Sequence, residues 1–158
     1  MSRAVIGLGA NLGDPAAQLR TAIAAIGHLP ETRVLAVSSF YRTAPVGYLA
    51  QPEFVNAAVA VETTLAPRAL LNALQQIEAA AGRERRFKDA PRTLDLDVLL
   101  YGDRVADEPG LTIPHPRLHE RAFALAPLVE IEPEAIVPGH GRAADLLARC
   151  ADQKIERV

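Results

Sequence analysis

The stretch K-D-A-P-R-T-L-D-L-D-V-L-L, residues 88–100, decides how the rest of the chain is read. From Thr93 it has the period-two alternation of a strand, with Leu94, Leu96 and Val98 on one side and Thr93, Asp95 and Asp97 on the other. Side chains two apart on a strand share a face, so Asp95 and Asp97 project together from Cα atoms about 6.5–7 Å apart. Two carboxylates at that spacing repel by about 2.4 kcal/mol at an effective dielectric of about 20, and by about 0.6 kcal/mol in water. On a solvated face such a pair is harmless. In a cleft it calls for a cation. The hard ion that travels with phosphates is Mg²⁺, held by one or two carboxylates together with water and substrate oxygens. Taken alone, D-x-D on a strand reads as a polar face in water. Here Arg83, Arg85, Arg86, Lys88 and Arg92 lead into it. Five cations beside two acids suit a magnesium polyphosphate, with metal on the carboxylates and the remaining phosphate charge on guanidinium forks.

At 158 residues, 49% of them hydrophobic and 23% charged, the chain has the size and balance of one globular domain spanning residues 1–158. A net charge of −2 gives no general attraction to nucleic acid or to an anionic membrane. The basic residues gather at 83–92, so a local anion site is expected instead. Cys150 is the single cysteine, which excludes an internal disulfide and a cysteine metal cluster. Beside Leu146 and Leu147 it reads as a small core hydrophobe. The apolar run after Arg3 is too short for a signal peptide and meets no cleavage pattern. No stretch approaches the length of a membrane span, and a cytoplasmic protein is expected.

Residues 4–8 read as a buried strand entering G-L-G-A-N-L-G-D, residues 7–14, where Asp14 caps a helix opened by Pro15. Leu19, Ala22, Ile23 and Ile26 give that helix an apolar face, and Gly27 with Pro30 ends it. Gly7, Gly9 and Gly13 are spaced one residue too long for a dinucleotide fingerprint and are expected in a tight strand-to-helix turn. Residues 33–42 form a second strand and 53–64 a third. On the third, Val55, Ala57, Val59 and Val61 alternate with Phe54, Asn56, Ala58 and Ala60. The connection 43–52 is long and rich in turn formers, which favours a functional loop. Pro67 opens a helix with Leu70, Leu74, Ile77 and Ala81 as its core stripe and Leu71, Gln75 and Glu78 on the next. The basic loop and the D-x-D strand follow. Then come an extended L-T-I-P-H-P at 111–116, a helix at 121–131 and a last helix near 142–150. The order strand, helix, strand, strand, helix, strand predicts an α+β fold. It is a ferredoxin-like antiparallel sheet with helices packed on one side, and loops 43–52 and 83–92 closing over a cleft.

K-D-A-P-R-T-L-D-L-D-V-L resembles the signature of the 6-hydroxymethyl-7,8-dihydropterin pyrophosphokinase family, which moves a diphosphate from ATP to a pterin alcohol on the way to folate. The blocks S-S-F-Y-R-T, Q-P-E-F-V-N-A-A-V, L-T-I-P-H-P and R-A-F-A-L-A-P-L follow the family order as well. The resemblance implies two Mg²⁺ ions held by Asp95 and Asp97 against the ATP phosphates, with Arg83 and Arg92 stabilising the diphosphate in flight. It implies ATP contacts from Arg85, Arg92, Thr112, His115 and Arg121, and an adenine and ribose site of Leu71, Gln75, Glu78 and Val98. The pterin is expected at Asn56 and Asp95, sandwiched by Phe54 and Phe123, with the backbone of Thr43 and Val46 beside it. Arg86 and Lys88 read equally as phosphate contacts or as solvated charges. No residue stands out as a general base. A monomer acting on ATP and the pterin alcohol is expected, with no nucleic acid or membrane partner.

The chain departs from the family pattern at Asp89, Gly110 and Pro116, where some members carry an aromatic, an arginine and a tyrosine. The last twenty residues match nothing in it. A catalytically silent pterin- or nucleotide-binding module would be favoured had Asp95, Asp97 or Arg92 been missing. An RNA-binding domain of the same topology would need exposed sheet aromatics among basic residues. The strands offer chiefly Phe40, Tyr41, Phe54 and Tyr101 in a slightly acidic chain.

Overall fold

A strand that is apolar in both directions must be covered on both faces, and the first strand, β1 (Ser2–Ala10), is such a strand. The computed structural model describes residues 1–43, 53–81 and 94–158. Ala4, Ile6 and Leu8 of β1 point into one core and Val5 into another. Helix α1 (Pro15–Gly27) starts where expected, with Asp14 Oδ1 accepting the Ala17 amide at 3.2 Å. Strands β2 (Thr32–Val37) and β3 (Tyr41–Thr43) occupy the stretch expected as one strand. The break has a local cause. Ser38 Oγ donates to the Ser39 carbonyl at 2.7 Å and accepts the Ala58 amide at 2.8 Å, so a side chain replaces a backbone carbonyl in the ladder.

Strand β4 (Phe54–Thr63) pairs antiparallel with β1 on one side and with β2 and β3 on the other. Helix α2 (Pro67–Ala80) leads towards β5 (Asp95–Tyr101), which pairs antiparallel with β1. There follow the hairpin β6 (Ala106–Glu108) and β7 (Leu111–Ile113), a 3₁₀ turn at Leu118–Glu120, and helix α3 (Ala122–Ile131). A small hairpin, β8 (Ile136–Val137) and β9 (Gly141–Arg142), helix α4 (Ala143–Ala148) and strand β10 (Ile155–Arg157) complete the chain. The main sheet runs β10-β3-β4-β1-β5 with β2 also on β4, the antiparallel ferredoxin-like order that the element sequence predicts. Among the described residues no helix is long and apolar enough to cross a membrane.

The expected placing of helices on one side of the sheet is not what the chain does. Leu19, Ile26, Leu70 and Leu74 of α1 and α2 pack on Ile6, Val59, Val61 and Val98. Leu125 and Leu128 of α3, with Ala143, Leu146 and Cys150, pack on the other face against Val5, Ala58, Leu99 and Leu100. The inner strands are small and apolar on both faces, and exposing either to water would forfeit about 25 cal/mol per Å² of buried apolar surface. The apolar alternate face of β4 carried this signal.

Strand β10 lies along β3, with Ile155 opposite Thr43 and Arg157 opposite Tyr41. Glu130 of α3 ties this edge down. It accepts from Tyr41 Oη at 2.6 Å and from Ser39 N and Oγ at 2.8 and 2.9 Å, with Arg157 Nη2 at 3.6 Å. Burial alone would raise the Glu130 carboxyl; the hydrogen bonds from Tyr41 and Ser39 and the charge of Arg157 outweigh it and hold it below the usual range. Below pH 7 the unfolded chain therefore takes up this proton first, and the stabilisation is lost as pH falls through the folded value. Glu130→Gln should lower stability at pH 7 by about 1–2 kcal/mol and flatten the acid limb. Denaturant titrations from neutral pH into the acid range check this, and equal acid slopes in variant and wild type would refute it.

Candidate active site

Two glycines decide the shape of the sheet face on which the acids stand. Gly9 of β1 lies opposite Asn56 on one side and Asp95 on the other, and Gly7 lies opposite Asp97. Asn56, Asp95 and Asp97 thus share one face. Asn56 and Asp95 stand on strands two apart, about 9.5 Å at the backbone, with bare peptide between them. A Cβ on Gly9 would come within 2.8 Å of Asn56 Nδ2, and one on Gly7 within 3.1 Å of the Leu99 side chain. The expectation that both glycines form a strand-to-helix turn is corrected here. Both lie inside β1, and only Gly13, at φ +63°, sits in the turn. Glycine within a strand marks a close approach of something else to the backbone, and that rule was the available signal.

Thr43, at the end of β3, donates its hydroxyl to Asn56 Oδ1 at 3.0 Å, both side chains being buried. The amide is thereby turned with Nδ2 over Gly9. The sequence assigned only the backbone of Thr43 a role; its hydroxyl orients Asn56. Phe54 shares the Asn56 face of β4 by strand alternation.

His115 reaches the acids from the segment after β7. Its amide donates to the Leu99 carbonyl at 3.1 Å, and its Nδ1 accepts the Arg117 amide at 3.2 Å. The proton of the neutral ring therefore sits on Nε2, 3.9 Å from Asp97 Oδ2. Burial, then the charges of Arg121 and Arg117, lower its pKa to about 4 against an opposing pull from Asp95. At neutral pH it is an uncharged donor rather than half of an ion pair. The Arg121 guanidinium lies over the Phe123 ring, 5.3 Å from its centre. The structure thus gathers Asp95, Asp97, His115 and Arg121, with Phe123 beside Arg121 and Asn56 across the glycine strip. Arg117, whose amide orients His115, was missed by sequence reasoning because the contact is made by backbone.

The remaining expected residues lie on β5 itself and on α2 and β7, which both pack against it. Val98 is buried toward α2, Leu71 packs on the same core, and Gln75 and Thr112 are exposed. Glu78 is 5% exposed, and its Oε2 accepts the Leu96 amide at 2.7 Å. Val98 and the acid pair therefore occupy opposite faces of the last strand on this side of the sheet. Among the described residues no three His, Cys, Asp or Glu side chains converge to hold a metal. Two carboxylates with room for water and ligand oxygens suit magnesium, which keeps most of its shell from those sources. Val46, Arg83, Arg85, Arg86, Lys88 and Arg92, expected at the site, lie outside the described residues.

Fold and site together define a ferredoxin-like α+β domain with an acid-lined face at one end of its sheet. The family model described as 7,8-dihydro-6-hydroxymethylpterin-pyrophosphokinase (HPPK) matches residues 5–133, and the chain belongs to that family. A Pseudomonas aeruginosa protein named 2-amino-4-hydroxy-6-hydroxymethyldihydropteridine pyrophosphokinase is 44% identical over 158 residues, covering 100% of this chain and 98% of the relative. A protein of the same name from Methylorubrum extorquens is 46% identical over 159 residues, covering 100% and 99%. Among solved structures, wild-type Plasmodium falciparum HPPK-DHPS superposes with a TM-score of 0.72 at 14% identity, over 94% of this chain and 44% of that one. That likeness speaks for the fold.

Proposed function

We infer that the chain transfers a diphosphate from ATP to the hydroxymethyl oxygen of 6-hydroxymethyl-7,8-dihydropterin, releasing AMP and the pterin diphosphate for folate synthesis. Membership of the family supports the activity. The observation that carries the site reading is the shared face of Asp95, Asp97 and Asn56 around bare strand backbone. Phosphoryl transfer asks a protein chiefly for position and charge neutralisation. In this reading Asp95 and Asp97 hold two Mg²⁺ ions, which when bound supply Lewis acidity and cancel phosphate charge.

Asn56 Nδ2 donates to the pterin edge, and Phe54 and Phe123 flank its ring. Backbone groups of Thr43 and Val46 serve, by the family resemblance, as further pterin contacts, and Asp95 bounds the slot on the far side. His115 Nε2–H and Arg121 donate to phosphate oxygens. Arg83 and Arg92 neutralise the charge that builds on the migrating diphosphate, Arg85 and Thr112 add nucleotide contacts, and Leu71, Gln75 and Val98 receive the adenosine around the edge of β5. The protein works in the cytoplasm as a monomer.

Mixing the protein with ATP, Mg²⁺ and the pterin alcohol should produce AMP only when the pterin is present. Tight binding of both ligands with no AMP would instead support a silent binding module.

A further inference from the structure

We propose that Glu78 is a positioning residue for the acid pair, holding the peptide between Asp95 and Leu96 from helix α2 so that the two aspartates stand at a fixed place on β5. The proposal rests on the reading of Asp95 and Asp97 as the metal-holding pair.

Asp95 and Asp97 lie opposite Gly9 and Gly7 on β1, so the intervening Leu96 turns its amide to the outer edge. A buried amide at a sheet edge needs an acceptor. Glu78 supplies one, with Oε2 at 2.7 Å and the side chain 5% exposed. A carboxyl oxygen at that distance, on a side chain held in the core, makes a well-formed hydrogen bond. Its helix is itself fixed, since Leu70 and Leu74 of α2 are fully buried in the core that also takes Leu96 and Val98. Glu78 thus links a rigid helix to the single residue that separates the two acids. The resemblance set Glu78 among the adenosine contacts; here its carboxylate is turned onto the strand.

The two roles separate in measurement. If Glu78 positions the acids, Glu78→Ala should lower kcat by about ten- to a hundredfold, the scale of a catalytic group misplaced by about 1 Å. The Mg²⁺ concentration for half-maximal rate should rise about tenfold with KM for ATP within about twofold, and amide exchange should quicken in the peptide containing Leu96. Glu78→Gln keeps an oxygen acceptor, so it should restore kcat to within about threefold of wild type and keep that peptide slow to exchange. A raised KM for ATP in either variant, with kcat, Mg²⁺ requirement and exchange at Leu96 unchanged, would overturn the proposal and make Glu78 a nucleotide contact. Should Glu78→Ala not fold, Glu78→Gln decides: near-normal kcat with slow exchange supports the proposal, and a loss as large as tenfold overturns it. A wild-type protein that yields no AMP would sink the proposed function. Exchange at Leu96 would still report whether Glu78 holds the strand.

Discussion

Asp97→Asn is expected to lower turnover about a thousandfold, a barrier increase of about 4 kcal/mol. The substitution removes one of two same-face charges on β5 and turns one acceptor oxygen into an amide donor while keeping size, so the site loses most of its demand for a cation. Without metal, the pair is a source of repulsion between groups about 7 Å apart. The variant should therefore melt at or slightly above the wild-type temperature in chelator, and gain less from added Mg²⁺ and ATP. Single-turnover AMP release and paired thermal melts test both halves. Near-normal turnover would remove Asp97 from the metal site. A large fall in melting temperature would make it structural.

The second large effect is expected at a residue with no side chain. A Cβ on Gly9 meets Asn56 Nδ2 at 2.8 Å, and Asn56 cannot swing aside without breaking its bond to the Thr43 hydroxyl. Gly9→Ala should thus lower kcat/KM for the pterin alcohol about a hundredfold, since a site built to hydrogen-bond its substrate loses heavily when the donor is displaced. KM for ATP should change little. Alanine is tolerated in strands at least as well as glycine, so the fold should persist. Steady-state rates with the pterin varied at saturating ATP give the answer, and an unchanged kcat/KM would mean that the strip between Asn56 and Asp95 is not where the ring lies.

The fold was largely legible because its signals are local. Asp14 before Pro15 announced α1, the stripe Leu70–Leu74–Ile77 announced α2, and the alternation of Val55, Ala57, Val59 and Val61 placed β4. The acid pair was legible for the same reason, since period two puts Asp95 and Asp97 on one face whatever surrounds them. Features that depend on partners distant in sequence were not legible. The break at Ser38 comes from a hydroxyl that reaches Ala58, twenty residues on. The second helical layer needs α3, at 122–131, to find Val5 and Ala58. The place of Gly7 and Gly9 depends on which side chains stand across from them in register. Strand β10 was missed because three residues, Ile155–Arg157, carry no periodicity and are held by Tyr41 and Glu130.

The register of the outer strands has a consequence for the molecule in larger settings. Ser2 pairs with Thr63, at the opposite end of β4 from Asn56, while β10 runs from Thr43 back toward Tyr41 and ends with the Val158 amide on the Phe40 carbonyl. The N-terminus thus departs from the end of the sheet remote from the acids, whereas Arg157 shares a rung with Tyr41, Asn56, Gly9 and Asp95, so the C-terminus leaves level with the acids from the opposite edge of the sheet. Protein joined ahead of Ser2 would therefore stand clear of the acid-bearing end of the sheet, and protein joined after Val158 would stand four strands from Asp95 at the same level.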